Sequence, residues 1–485
     1  MSIAYSHKTK WFKGAKLLDS PLAYIIMLLM AVAISYVIGF VDYRLGFIII
    51  AALIGVTVTL ISLFNTRLGF IITTVFSFFM FYFKRFTNDD IPTGVVVDVL
   101  LAVTFIGSYY RKTIHQQRLW QYFNSPITYV YMINLGFLMI ELFNPSMYSI
   151  TGWIFTMRKF LNFVMIYFVG LHVFNTKKDI QDFMKLWLFL SILAGMYGCF
   201  QEWFGLLGFE NDWVMSDPIR YKLYYQGGEI RKFSFLSDPS AYGILMAISI
   251  VYGIIAALNE ERSRRRWLLI IGIIFMTLGM AYSGTRTAYF IIPAGLCIYA
   301  LMTITNRRTL LFMTGFILFF VVLMFGPFYS NSTVNRIRTS FQLTDDESMT
   351  VRDNNREMIR PYMHSHPLGG GVATTGVLGL LYNPGHPLAG FPPDSGYLRA
   401  ALETGPIGLA YTLFTFFIML QVGVRNYYAS RSKEIRTIYV ATVASLFAYM
   451  IAQYAQVAIG QMPGAFFFYG TMAIIVKLRN FEQTS

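Results

Sequence analysis

Runs of about 20 apolar residues, broken by short polar links, recur from residue 21 to residue 477. Each matches the roughly 30 Å hydrocarbon core of a bilayer. Lipid offers the backbone no hydrogen-bond partners, so each run is expected to be helical. Fourteen spans follow: 21–40, 45–64, 68–83, 92–109, 126–143, 154–174, 184–207, 238–258, 266–283, 286–305, 309–328, 397–424, 436–457 and 461–477. The tight pair 45–64 and 68–83 also suits a re-entrant hairpin. The expected fold class is an all-α polytopic integral membrane protein with about 14 transmembrane helices. Its parts are helices 1–7 (residues 1–207), an extracytoplasmic loop (208–237), helices 8–11 (238–328), a large extracytoplasmic loop (329–396), and helices 12–14 with a cytoplasmic tail (397–485).

Composition sharpens this picture. Only 13% of residues are charged, against about 25% in soluble domains. The net charge of +14 raises nucleic acid as a partner, but the basic residues cluster in the links between spans and no aromatic-basic module is present. With the N-terminus in the cytoplasm, inner segments carry 23 Lys and Arg and the short outer loops six: Arg44, Lys84, Arg85, Arg158, Lys159 and Arg286. That asymmetry predicts an inner-membrane protein with both termini cytoplasmic. The first span, preceded by Lys8, Lys10, Lys13 and Lys16, is too long for a signal peptide and reads as a retained anchor. Cys199 and Cys297 both lie in spans, so they form no disulfide framework or zinc site.

The candidate chemistry lies between spans. In "SGTRTA", Thr285 is placed to cap a helix that carries Arg286 in its first turn. Helix N-termini favour anions, so an arginine there is costly unless an anion joins it. Arg231 precedes Asp238 and Pro239, a cap and first-position pair that opens another span. Arg220 lies upstream in the same loop. Arg352, Arg356 and Arg360 fall at i, i+4 and i+8, a helical stripe about 12 Å long. Guanidinium forks suit phosphate. Pro361 disfavours a helical Arg360, which leaves Arg352 and Arg356 as the leading pair.

His364, His366 and His386 all fall in the large loop. Histidine is the natural acid or base near neutral pH. His386 leads, because Pro and Gly on both sides would fix its backbone, with Asp394 either orienting it or binding an acceptor hydroxyl. Asp98 is an acid within a span, either functional or bridging helices. Asp89–Asp90 and Asp345–Asp346–Glu347 read as solvated loop charges. His364 and His366 are spaced wrongly for a helical ligand pair, and no metal or other cofactor is expected.

The order of these features resembles the bacterial O-antigen ligase and polymerase family. The matching stretches are "FSFLSDPSAYG", "SGTRTA", "NREMIRPYMHSHPLGGGV", "GHPLAGFPPDSGYL" and "RAALETGPIGL", together spanning about 230–425. The family's Ser-Arg pair is split here by Gly284 and Thr285. Its His-Asn pair beside an aromatic is replaced by "PPDSGY". The resemblance implies a membrane glycosyltransferase of the C type. Such an enzyme transfers a glycan from undecaprenyl pyrophosphate to an acceptor sugar hydroxyl with inversion and without metal. Arg286, Arg352 and Arg356 would stabilise the departing diphosphate and His386 would take the proton. Arg220, Arg231, Arg360, His364, His366, Asp394 and Glu403 would bind substrate. The expected partners are the lipid-linked donor, a glycan or lipid-linked acceptor, membrane lipid and a chain-length regulator protein.

Polysaccharide polymerase is the first expectation. A ligase acting on lipid A core or protein performs the same step. A lipid-linked oligosaccharide flippase is the alternative from another class, but transporters place charge at mid-membrane, and here such charge is nearly limited to Asp98.

Overall fold

A computed structural model describes residues 21–36, 38–39, 43–87, 92–114, 125–226, 228–327, 338 and 347–481. The expectations placed on the N-terminal lysines, on Asp89–Asp90 and on Asp345–Asp346 lie outside the described residues, as does the side chain of Arg352. The described chain is helical apart from one two-residue hairpin. In order it runs α1 (Pro21–Tyr36), α2 (Tyr43–Phe64), α3 (Thr66–Phe86), α4 (Thr93–Ile114), α5 (Pro126–Ile140), α6 (Ile150–Val173) and α7 (Lys177–Trp203). Next come the short α8 (Gly208–Met215) and α9 (Pro218–Tyr224), then strands β1 (Tyr225–Gln226) and β2 (Glu229–Ile230). The remainder is α10 (Pro239–Asn259), α11 (Ser263–Tyr282), α12 (Arg286–Met302), α13 (Arg307–Phe325), α14 (Glu347–Ser365), α15 (Gly376–Tyr382), α16 (Gly396–Ala429), α17 (Lys433–Ala455) and α18 (Gly464–Leu478).

A helix occupies each of the fourteen windows, but among the described residues ten are long and apolar enough to cross a membrane. Ten of the fourteen expected crossings are supported on this measure. Helices α12 and α18 have 17 and 15 residues. At 1.5 Å per residue they fall short of a 30 Å core. By contrast α3, with 21 residues, is a full-length candidate span rather than one limb of a re-entrant hairpin.

Small residues let the helices approach. The hydroxyl of Tyr242 on α10 lies 2.0 Å from where a Cβ on Gly198 (α7) would sit and 2.1 Å from that of Gly279 (α11), so neither glycine tolerates a side chain. Gly195 of α7 likewise meets the backbone of Met276. Buried hydroxyls bridge neighbours as polar glue: Trp187 Nε1 donates to Ser249 Oγ at 3.1 Å, and Thr128 pairs with Tyr167 at 2.6 Å. Helix α10 is the most buried span, at 83%, and forms the axis of the core.

All six cations counted as short-loop charges lie within helices, three of them deep or buried. Arg85 is buried in α3, while Arg158 and Lys159 sit two turns into α6. Arg158 pairs with Asp98 at 3.4 Å, and Asn162 donates to Asp98 at 2.5 Å. The acid within the span therefore bridges α4 and α6. Segments 208–237 and 347–396 gather at one end of the bundle with the start of α12 and the end of α17; we call this end the loop face.

Candidate active site

The site begins with a broken helix. In α16, Pro406 has no N–H to return to Leu402, and Gly405 adopts φ 69°, ψ −177°. The carbonyls thereby released are taken by a crossing strand: Gly370 N donates to Leu402 O at 2.8 Å and Gly371 N to Glu403 O at 2.9 Å. A Cβ on Gly405 would lie 2.1 Å from Pro367 O, and one on Gly369 would lie 2.5 Å from Gly405 N. Glycine is required on both sides of this crossing, which explains "LGGGV" and "ETGP" as one structural unit. Glu403 is part of it: its buried Oε1 accepts from Thr375 Oγ1 at 2.5 Å and from Arg399 Nε at 3.0 Å. The carboxylate expected to bind substrate is spent on bracing the loop.

The arginine helix α14 docks beside this crossing through Ile359, which packs with Leu388 and Leu402, flanked by Tyr362 and Met363. Pro361 stays within the helix, so Arg360 is helical, contrary to expectation. It is exposed, pointing off the docked face. Arg356 is turned inward: Nη1 contacts Tyr454 Oη at 3.3 Å and the guanidinium lies 5.2 Å from the Tyr454 ring. Next to it, Asn355 Nδ2 donates to Asp394 at 3.3 Å. Asp394 immediately precedes Ser395, whose hydroxyl caps α16. Asp394 thus belongs to the arginine helix and shares no hydrogen bond with His386 among the described residues, which corrects its expected role as that histidine's orienter.

Arg231 supports the second cation. Its Nε donates to Ser283 O at 2.8 Å, and Nη2 reaches Thr285 Oγ1 at 3.1 Å and Ser240 Oγ at 3.4 Å. It therefore holds the turn from which Arg286 projects, exposed, at the first position of α12. Helices α12 and α17 run antiparallel. A Cβ on Gly295 would meet Ala444 O at 3.3 Å, and Tyr299 and Thr303 share a cavity with Arg436 and Val440. Arg286 lies nine residues before Gly295, and Gln453 lies nine after Ala444. Arg286 therefore lies toward the same end of the bundle as Gln453 and Tyr454, the residue that Arg356 contacts.

The other predicted residues lie elsewhere. Arg220 stacks 3.7 Å from the Trp213 ring and donates to Trp213 O at 2.6 Å, pinning α9 to α8. His364 is exposed. His366 stacks on Tyr362 at 4.0 Å, with Nδ1 3.1 Å from Tyr362 O. His386 is 4% exposed. Its Nδ1 accepts from Leu388 N at 3.1 Å, and its ring bonds the Ser146 carbonyl while meeting Tyr148 edge-on at 4.8 Å. Burial holds its pKa below the ordinary 6.5, with His366 lowering it further and the Ser146 bond opposing both. With Nδ1 engaged and the ring nearly enclosed, His386 braces its own turn in this conformation. Tyr454, Asn355, Thr375 and Tyr148 carried no sequence signal; each is an ordinary interfacial or polar residue until the fold places it.

Together these features describe a helical membrane protein with exposed or partly exposed arginines, Arg286 and Arg356, at one end of the bundle. Residues 271–413 match the family model described as O-Antigen ligase, a segment running from within α11 to within α16 and taking in Arg286, α14 and the broken helix. The chain is a helical membrane protein that carries an O-antigen ligase family domain over residues 271–413. No curated protein matches it.

Proposed function

We propose that this protein is a polysaccharide polymerase that transfers a glycan from undecaprenyl pyrophosphate to an acceptor sugar hydroxyl at the loop face, without metal. The family match over residues 271–413 points to lipid-linked glycan substrates; the finer assignment is our own. The observation that carries it is the placement of Arg286 and Arg356 toward one end of the bundle. The first is held at a helix N-terminus by the Arg231 brace, the second by Tyr454. Two guanidinium groups at the same end of the bundle, one of them at a helix N-terminus, oppose the charge that develops on a departing diphosphate.

In this reading the acceptor oxygen attacks the anomeric carbon as the carbon–oxygen bond to the diphosphate breaks, and the diphosphate leaves with the bonding pair. Asp394 takes the hydroxyl proton. It is the carboxylate beside Arg356, held by Asn355, whereas His386 is enclosed. The guanidinium groups supply what a divalent cation supplies elsewhere. Lipid-linked glycan length on a gel, with expression matched, tests the assignment. Arg286→Ala, Arg356→Ala and Asp394→Asn should each lower transfer about 100-fold or more, Arg360→Ala less than about threefold, and EDTA should have no effect. Full-length glycan from the Arg286 and Arg356 variants would end the proposal; retained activity in Asp394→Asn alone would remove only the base.

A further inference from the structure

Two cavities open side by side at the end of the bundle opposite the loop face. The larger, about 840 Å³, is walled by apolar side chains of α7, α10, α11 and α17, among them Met184, Leu188, Tyr252, Leu268 and Ile438. The smaller, about 260 Å³, is polar and ringed by Arg431, Lys433 and Arg436 with Tyr427 and Asn306. Asn259, Lys433 and Thr437 line both, so the two adjoin along a shared wall.

Charge is divided unevenly between them. The mouth of the larger cavity includes Glu260, Glu261 and Glu434, and each is already engaged. Glu260 accepts from Arg262 N at 3.0 Å, Glu261 from Lys433 Nζ at 2.7 Å, and Glu434 from Gln181 Nε2. The smaller cavity has three cations and no carboxylate among the described residues that line it. Arg436 is held in place there, with Nη2 3.2 Å from Tyr427 Oη and the guanidinium 4.7 Å from the Tyr427 ring. Helices α10 and α11, of 21 and 20 residues, separate this space from the loop face by about 30 Å, so it is no part of the site built around Arg286.

We propose that this paired space binds one anionic glycerophospholipid, its phosphate in the cationic chamber and its acyl chains along the apolar one. A soluble anion uses only the polar chamber and leaves the larger one without a role. A zwitterionic lipid brings a quaternary ammonium into a chamber lined by Arg431 and Arg436, with Lys433 already paired to Glu261. An anionic lipid satisfies both chambers, and a basic pocket between helices at a membrane face is the setting in which acidic headgroups are held.

The test is thermal unfolding of the purified full-length protein in a neutral detergent, titrated with dioleoyl-phosphatidylglycerol, dioleoyl-phosphatidylcholine or sodium phosphate. Phosphatidylglycerol should raise Tm saturably and the other two should not. The double variant Arg431→Gln, Arg436→Gln should weaken the phosphatidylglycerol midpoint roughly 10- to 30-fold. Ala256→Trp, which fills the apolar chamber and keeps the cations, should abolish the response. Equal stabilisation by phosphatidylcholine, a full response to phosphate alone, or an intact response in both variants would overturn the proposal. If Ala256→Trp does not fold, phosphatidylglycerol retained through purification, counted by native mass spectrometry, decides. Equal retention by the wild type and the double-arginine variant counts against the site.

Discussion

His386 is placed where its protonation opposes the fold. Its ring is nearly enclosed, Nδ1 accepts from Leu388 N, and burial lowers its pKa. A group whose folded pKa lies below its unfolded value of about 6.5 favours the fold when neutral. Its stabilising contribution is therefore complete above that value and is lost as pH falls through the folded pKa. Thermal unfolding between pH 7.5 and pH 5 should show the wild type losing Tm on acidification. His386→Gln, less stable at pH 7.5, should lose less; parallel curves would refute the account. This is also where the sequence misleads. The residue types of a reaction centre were all visible, and the Pro and Gly around His386 did fix its backbone. The same constraint buried it, and burial depends on Tyr148 and Ser146, more than 200 residues away in sequence. Asp394 is the converse case. It reads as an accessory to a histidine until α14 docks and brings Asn355 to it.

Helices were the most legible level, because lipid allows so few alternatives. Every apolar window became a helix, and the arginine stripe of 352–360 lies on one. What composition could not supply was depth. Helices α12 and α18 are apolar but short, and Arg85 looks like a loop charge although it is enclosed. Its Nη1 donates to Ser234 O at 2.8 Å, and its guanidinium lies 4.2 Å from the Phe233 ring and 5.2 Å from that of Trp213. Arg85 thus joins Gln201, which accepts from Phe233 N and Ser234 N, in fastening this segment to the bundle. Losing a charge-assisted hydrogen bond and two ring contacts should cost on the order of 2–4 kcal/mol. Limited proteolysis of Arg85→Ala should cut within 208–237 while the wild type stays intact. If the variant resists cleavage as the wild type does, the segment is held by other contacts.

At the scale of the whole molecule the open quantity is sidedness. The charge count favours a loop face outside the cell, yet two of the six short-loop cations it used, Arg158 and Lys159, belong to α6. The structure supplies a better-founded version of the same argument. Arg67, Arg262, Arg265, Arg308, Lys433 and Arg436 sit at or beside helix ends opposite the loop face, where the positive-inside rule has its force. The cations of the loop face lie largely in the two long segments, which translocate regardless of charge. Cysteine labelling tests this directly, since Cys199 is buried and Cys297 can be replaced by serine. In that background Met358→Cys, at a site 66% exposed on α14, should react with a membrane-impermeant maleimide on intact cells. Glu261→Cys, at a side chain 74% exposed on the opposite face, should react only after permeabilisation. The reverse pattern would put Arg286 and Arg356 in the cytoplasm, facing the wrong leaflet for a translocated lipid-linked glycan.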